Sequence, residues 1–250
     1  MDSEPKKLRI LCIHGYYNNA KVLEAQLDYY QTIFKDYIEF VFVEAPHKIP
    51  DQEVYDPRVK AKFEGPFYYW IGSGKGGLGD NETFLESYNF LYEFMEQNGP
   101  FDGIYGFSQG GLFVRALVKG KELGFPHITH TPSFMILASP RMPKKYPFVE
   151  VIGQDYPIPA LYLFDDNDTL EETFINAYCD KSEHTIIRHN KGHSLPKLIN
   201  EQMNTFIDFI STQYYNKFHQ EVQLNFTVDE QFLESYRAQG TEKTSIRSKL

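Results

Sequence analysis

The sequence predicts an α/β fold: a mostly parallel sheet with helices on both faces. Three observations lead there. Short apolar runs alternate along the chain with longer segments of helical period. The apolar runs show no strong polar/apolar alternation, as expected of strands buried on both faces. The first three segments read strand, helix, strand, at the lengths of a right-handed βαβ crossover.

The elements follow in order. Leu8 to His14 is a compact apolar run that ends at Gly15. Asn18 or Asn19 can cap a helix over Ala20 to Lys35, where Val22, Leu23, Leu27, Tyr30 and Phe34 recur at helical spacing. Glu39 to Val43 reads as a strand stopped by Ala45-Pro46. Residues 47 to 80 break the pattern: prolines and the glycine-rich Gly72–Gly79 stretch flank Phe67-Tyr68-Tyr69-Trp70, which predicts a folded flap. Asp80 or Asn81 can cap a helix with Phe84, Tyr88, Leu91 and Met95 on one face, ended by Asn98-Gly99-Pro100. Phe101 to Tyr105 is a short strand, and a helix starting at Ser108 runs to Lys121. Strands are expected at Ser133 to Ala138, Ala160 to Phe164 and His184 to Arg188, with a helix at Glu171 to Cys179. Pro196 opens a closing helix to about Thr212 along the stripe Leu198, Ile199, Met203, Phe206 and Ile210. Thr227 introduces a short helix within Phe226 to Arg237. The organisation expected is one large domain over residues 1 to 213 and an accessory extension over 214 to 250.

Charge and composition exclude several function classes. The net charge is −9 with no Lys/Arg block able to track phosphates, which argues against nucleic acid and anionic membrane surfaces. No apolar run approaches the roughly 20 residues that span a bilayer. The stretch Met1 to Lys7 is polar and lacks the features of a signal peptide, so a cytoplasmic, or also nuclear, location is expected. Cys12 and Cys179 read as two buried free thiols.

Parallel sheets place ligand sites beyond the carboxyl ends of their strands. Gly106-Phe107-Ser108-Gln109-Gly110 lies at such a place, after a strand and before a helix. This is the Gly-x-Ser-x-Gly elbow in its proper context. Side chains at 106 or 110 would crowd the strand against the departing helix, and a serine at the turn occupies a strained backbone. A helix start also aims N–H groups and the positive end of its dipole at the reacting oxygen. Ser108 is therefore the candidate nucleophile. The rival reading is an ordinary glycine-rich turn with Ser108 as an N-cap.

A serine hydroxyl needs a base at neutral pH, and eight histidines compete for that role. His193 lies in Lys191-Gly192-His193-Ser194 after the last strand, at the same sheet edge as Ser108, and Gly192 permits a tight approach. His189 is the runner-up, and His184 reads as a surface residue. The acid is expected after the preceding strand, where Asp165-Asp166-Asn167-Asp168 offers three carboxylates. Asp168 can reach laterally to the imidazole, while Asp165 and Asp166 stay open as alternatives. Donors for a developing oxyanion are expected from the backbone N–H groups of Gln109 and Tyr16, whose side-chain identity matters less than turn geometry. Tyr17 and the aromatics Phe67, Tyr68, Tyr69 and Trp70 are candidates for an apolar substrate pocket or, for 67 to 70, core anchors of the flap. His184, His189 and His193 match no zinc spacing, so no metal is expected.

These residues carry a resemblance. Leu11-Cys12-Ile13-His14-Gly15-Tyr16, Glu44-Ala45-Pro46, Asn98-Gly99-Pro100-Phe101-Asp102-Gly103 leading into the elbow, and Gly192-His193 look like the family of serine hydrolases, small enzymes of fungi and animals that include the ovarian tumour suppressor candidate protein. The resemblance covers roughly residues 7 to 210. It implies an α/β-hydrolase domain with no cofactor, a nucleophile at Ser108, an acid at Asp168 and a base at His193. It further implies cleavage of a small acyl ester or thioester. Asp165 stands where the family usually has glycine, and the Gly72–Gly79 loop and the segment beyond 214 are atypical. A catalytically idle binding module and an acyltransferase are the competing expectations.

Overall fold

The computed structural model describes residues 6–50, 63, 65–72, 80–140, 148–152, 156, 158–167 and 184–247. The chain divides into two compact units, Met1–Leu195 and Pro196–Leu250. The expected helix at Glu171 to Cys179, residues 73–79 of the glycine-rich stretch, and Cys179 itself lie outside the described residues.

In the first unit, six strands form one parallel sheet. They are β1 (Leu8–Ile13), β2 (Ile38–Val43), β5 (Gly103–Phe107), β6 (Phe134–Ala138), β7 (Ala160–Asp165) and β8 (His184–His189), in spatial order β2-β1-β5-β6-β7-β8. The fold class read from the sequence therefore holds. Every residue of β5, β6 and β7 is buried, which explains why those strands read as continuous apolar runs. β5 begins two residues later than expected and continues through Gly106 and Phe107, so the elbow glycine is part of the strand.

Helix α1 (Ala20–Ile33) starts at Asn19, whose Oδ1 accepts the Val22 N–H at 2.7 Å. A second capping acceptor was not evident from sequence: Glu44 Oε1 takes the Ala20 N–H at 3.1 Å. Helix α2 (Asn81–Asn98) is capped by Asp80, as the sequence suggests. Helix α3 (Gln109–Val118) is buried over most of its length and packs on β5, β1 and β6. A single turn, α4 (Val149–Ile152), also packs on α3. The main core gathers Leu11, Ile13, Ile104, Leu112, Phe113 and Leu137 with Trp70 and Phe84.

The region expected as a flap contains a two-strand ladder, β3 (His47–Lys48) antiparallel to β4 (Tyr68–Tyr69). It is tied to the loop after β1 by the Tyr68 N–H donating to Asn18 O at 2.8 Å. Two-residue strands lie below what periodicity can detect.

In the second unit, α5 (Asn200–Phe218) closes on His219 in the left-handed conformation, φ 55°. Its start corrects the expectation that Pro196 occupies the first turn: Ile199 is extended and the helix begins at Asn200. Leu198 is buried without being helical, so it satisfied the apolar stripe by coincidence of spacing. Helix α6 (Glu230–Arg247) is longer than expected and is capped by Asp229, whose Oδ1 accepts the Phe232 N–H at 2.9 Å; Thr227 is not the cap. Among the described residues, no helix is long and apolar enough to cross a membrane.

Candidate active site

The strand order reverses direction between β1 and β5: from β1 the chain steps outward to β2, then returns to place β5 on the other side. Open parallel sheets bind ligands at such a switch point, beyond the strand carboxyl ends. Two turns meet there. The turn after β1 is His14-Gly15-Tyr16, and the turn after β5 is Ser108. A Cβ placed on Gly15 would lie 3.1 Å from the Cβ of Ser108, so the two turns touch.

Ser108 stands between the last residue of β5 and the first of α3 with φ 53° and ψ −115°. A non-glycine residue held there carries on the order of 1–3 kcal/mol of backbone strain, and such strain concentrates at functional sites. The surrounding structure fixes it: the Ser108 N–H donates to Ala138 O at 3.0 Å, and Ser108 O accepts the Gly111 N–H at 3.1 Å. The glycines do what the sequence asks of them. A Cβ on Gly106 would stand 2.7 Å from Gly110 C, and one on Gly110 would stand 2.7 Å from His14 O, so both α3 and the β1 turn press on the elbow. Ser108 makes no side-chain cap bond to α3, which removes the plain N-cap reading.

The base emerges on the same rim. His193 follows β8, and its Nε2 lies 2.8 Å from Ser108 Oγ across 85 residues of chain. The Phe107 ring stacks on the imidazole at 5.2 Å and 30°. The loop that carries it is tightly wound, with the Ser194 N–H donating to Gly192 O at 2.7 Å and Ser194 Oγ–H to Lys191 O at 2.9 Å. Gly192 is needed for its φ of 69°. The expectation of close approach is corrected here, because a Cβ at that residue would meet open space.

Asp168 lies outside the described residues. Asp165, at the end of β7, is 6% exposed, and both of its carboxylate oxygens are committed to backbone. Oδ2 accepts the Gly192 N–H at 2.6 Å and Oδ1 accepts the Asn167 N–H at 3.0 Å. The Asn167 bond, then the Gly192 bond, hold its carboxyl below the ordinary aspartate range, against the opposing effect of burial. His189 sits beside it, with Nδ1 3.7 Å from Asp165 Oδ2. Burial pushes the His189 pKa down despite that carboxylate, and its Nε2 has no hydrogen-bond partner among the described residues. The runner-up base is thus a buried imidazole beside Asp165, with Nδ1 accepting the Lys191 N–H at 3.3 Å. His184 is half-buried with its ring edge-on to Tyr162, so it is not the surface residue expected.

The residues expected to supply oxyanion donors are present at the two turns, and the side chain of one has a role that sequence reading missed. Gln109 Oε1 accepts the N–H groups of Trp70 at 2.8 Å and Ile71 at 3.3 Å, and Nε2 donates to Ile71 O at 2.8 Å. Its identity therefore matters, because it straps residues 70 and 71 to the elbow. Trp70 is fully buried and Phe67 nearly so, which corrects their place among the pocket candidates. Trp70 Nε1–H donates to His14 O at 2.8 Å, and Phe67 packs with Val22 and Ile49. Tyr17, Tyr68 and Tyr69 are half-buried, and Tyr16 is 40% exposed with its ring 4.6 Å from Tyr17 and 6.0 Å from Tyr69. His14 is a packed strand-end residue: it is fully buried, with Nδ1 2.7 Å from Gly15 O and Nε2 accepting the Ala45 N–H at 3.1 Å. Ser139, which the sequence did not flag, ends β6 beside the elbow with φ 43° and a buried hydroxyl lacking a partner among the described residues.

Fold and site together define a serine hydrolase of the α/β-hydrolase class. The chain belongs to the serine hydrolase (FSH1) family, whose model matches residues 1–205. It is 29% identical over 231 residues to Esterase CG5412 of Drosophila melanogaster, covering 87% of this chain and 79% of the relative. It is 26% identical over 208 residues to Hydrolase phiM of Talaromyces stipitatus, covering 76% and 81%. Among solved structures, acyl-protein thioesterase 2 of Zea mays aligns with a TM-score of 0.53 at 18% identity, over 83% of this chain and 94% of that one. A Bacillus cereus carboxylesterase aligns with a TM-score of 0.51 at 13% identity, over 84% and 90%. These two likenesses bear on the fold.

Proposed function

We propose that the chain hydrolyses carboxylic esters or thioesters of acyl groups through an acyl-enzyme on Ser108. The observation that carries this reading is the 2.8 Å separation of His193 Nε2 and Ser108 Oγ. A base within hydrogen-bond reach of the hydroxyl is the geometric requirement for activating serine. His193 takes the Ser108 proton as Oγ bonds to the acyl carbon. The carbonyl electrons move onto oxygen, which the backbone N–H groups of Tyr16 and Gln109 receive, each worth roughly 3 kcal/mol in the transition state. Collapse of that intermediate expels the alcohol or thiol, which leaves with the proton from His193. Water then repeats the sequence against the acyl-enzyme, releasing the acid and restoring Ser108. Asp168, three residues beyond the end of β7, orients the imidazole and balances its charge. The name of a sequence relative, an esterase in the fly, supports this choice of bond.

The test is a panel of acyl esters and acyl thioesters of graded length, with fluorophosphonate labelling, on wild type and Ser108→Ala. Turnover and labelling are expected in wild type and lost in the variant while its fold is retained. Labelling that persists without Ser108 would remove the stated nucleophile, and stable partner complexes together with no turnover across the panel would favour an idle binding module. Ester formation with an added alcohol, outpacing hydrolysis, would identify an acyltransferase.

A further inference from the structure

We propose that Asp165 is a positioning residue: its carboxylate ties the loop carrying His193 to the end of β7 and so holds the imidazole on Ser108. This inference rests on the reading of Ser108 and His193 given above.

One oxygen of Asp165 reaches the His193 loop, and the other closes the turn that Asp165 itself begins. Oδ2 accepts from Gly192, the residue before His193, and Oδ1 accepts from Asn167, the residue before Asp168. The Gly192 bond, at 2.6 Å, is the short charge-assisted kind that fixes geometry. A backbone cross-link reinforces it, the Asp166 N–H donating to His189 O at 2.7 Å. His193 is itself exposed, so packing does not enclose it on all sides. The Phe107 ring covers one face of the imidazole, and the loop backbone sets the direction from which it approaches Ser108. That backbone passes through the left-handed turn at Gly192, whose N–H is the group Asp165 holds. In this proposal Asp165 acts on backbone, through the Asn167 and Gly192 N–H groups, and the acid remains Asp168.

A misplacement of a reacting group by about 1 Å costs on the order of a hundredfold in rate. Asp165→Ala is therefore expected to lower kcat and the rate of fluorophosphonate labelling by about ten- to a hundredfold, with KM for a short acyl ester little changed. Asp165→Asn keeps one carbonyl acceptor for Gly192 and is expected to recover part of the loss. The decisive comparison is made in a His193→Ala background. If Asp165 works through the imidazole, adding Asp165→Ala there causes no further loss. Wild-type kcat in Asp165→Ala, or a loss that persists undiminished without His193, would overturn the proposal. Should Asp165→Ala fail to fold, Asp165→Gly, which also removes both acceptors, carries the same test, and full wild-type kcat there would overturn it. Ser108→Ala in the same assay separates the two claims: turnover surviving in that variant sinks the hydrolase reading, whatever Asp165 does.

Discussion

The side-chain carbonyl of Gln109 accepts the backbone N–H of Trp70 at 2.8 Å, joining the residue after the candidate nucleophile to a segment 39 residues earlier. Its amide completes the strap through Ile71. Gln109→Ala would leave two buried N–H groups and a carbonyl without that partner, and a single such group costs about 1–3 kcal/mol. A loss of stability of at least that size is expected in urea denaturation. The backbone N–H of residue 109 survives the change. The folded fraction should therefore keep far more activity than the hundredfold to thousandfold loss, roughly, that follows removal of an oxyanion donor.

The elbow allows a harsher test. A methyl group on Gly110 would fall 2.7 Å from His14 O, which belongs to backbone and cannot rotate aside. Gly110→Ala must push α3 away from the turn after β1, separating the two turns that meet at Ser108. Destabilisation of about 1–3 kcal/mol is expected from overpacking. Fluorophosphonate labelling should fall further than stability does, because the N–H groups of Tyr16 and Gln109 lie on opposite sides of the displaced contact. Labelling at the wild-type rate would show that the contact is not needed for the site.

His189 gives a pH dependence with a defined sign. Burial lowers its folded pKa below the ordinary histidine value of about 6.5. In the interval between the two, the unfolded chain binds the proton and the folded chain does not, so stability rises with pH there. It is lost as pH falls from about 6.5 toward the folded value. Asp165 acts lower on the scale. Its depressed folded pKa contributes stability that is present above the unfolded aspartate value of about 3.9 and disappears as pH falls through the folded value. Melting temperature measured from about pH 7.5 to 5, which brackets the histidine range, should therefore drop less in His189→Asn, which can still accept the Lys191 N–H, than in wild type. Parallel curves would show that another group titrates.

The parts of this site that could be read from sequence are those where backbone geometry demands a residue type. Gly106 and Gly110 are required by close approach, Ser108 by its place between strand and helix, and His193 by leaving the last strand on the same rim. Chain order and strand ends carry that information, and both survive errors of one or two residues in element bounds. What could not be read depends on burial and on side-chain-to-backbone bonds. Phe67-Tyr68-Tyr69-Trp70 looks the same whether it covers a cleft or enters the core, and the structure divides it, burying the outer two residues and leaving Tyr68 and Tyr69 half-buried. Asp165 was visible as one of three neighbouring carboxylates, but nothing in the string shows that its oxygens meet the N–H groups of Asn167 and Gly192. The strap from Gln109 was equally hidden, since its far ends are backbone at residues 70 and 71.

That division of the aromatics predicts which of them govern acyl preference. Trp70 has no exposed surface, and its indole N–H donates to His14 O, directly before the Gly15 turn. Trp70→Phe should lower stability by about 1–3 kcal/mol for the unpaired carbonyl, with relative activity across acyl lengths unchanged. Tyr16 is different: it follows Gly15 at the nucleophile, is 40% exposed, and leans on Tyr17 and Tyr69. An acyl chain leaving Ser108 along this rim would bury methylenes against these rings, each worth up to roughly 0.8 kcal/mol. Tyr16→Ala should therefore raise KM increasingly with chain length, with little effect on an acetyl ester and little on melting temperature. Equal effects at all lengths would mean that the chain does not run over Tyr16, and a length-dependent effect in Trp70→Phe would return the indole to the pocket.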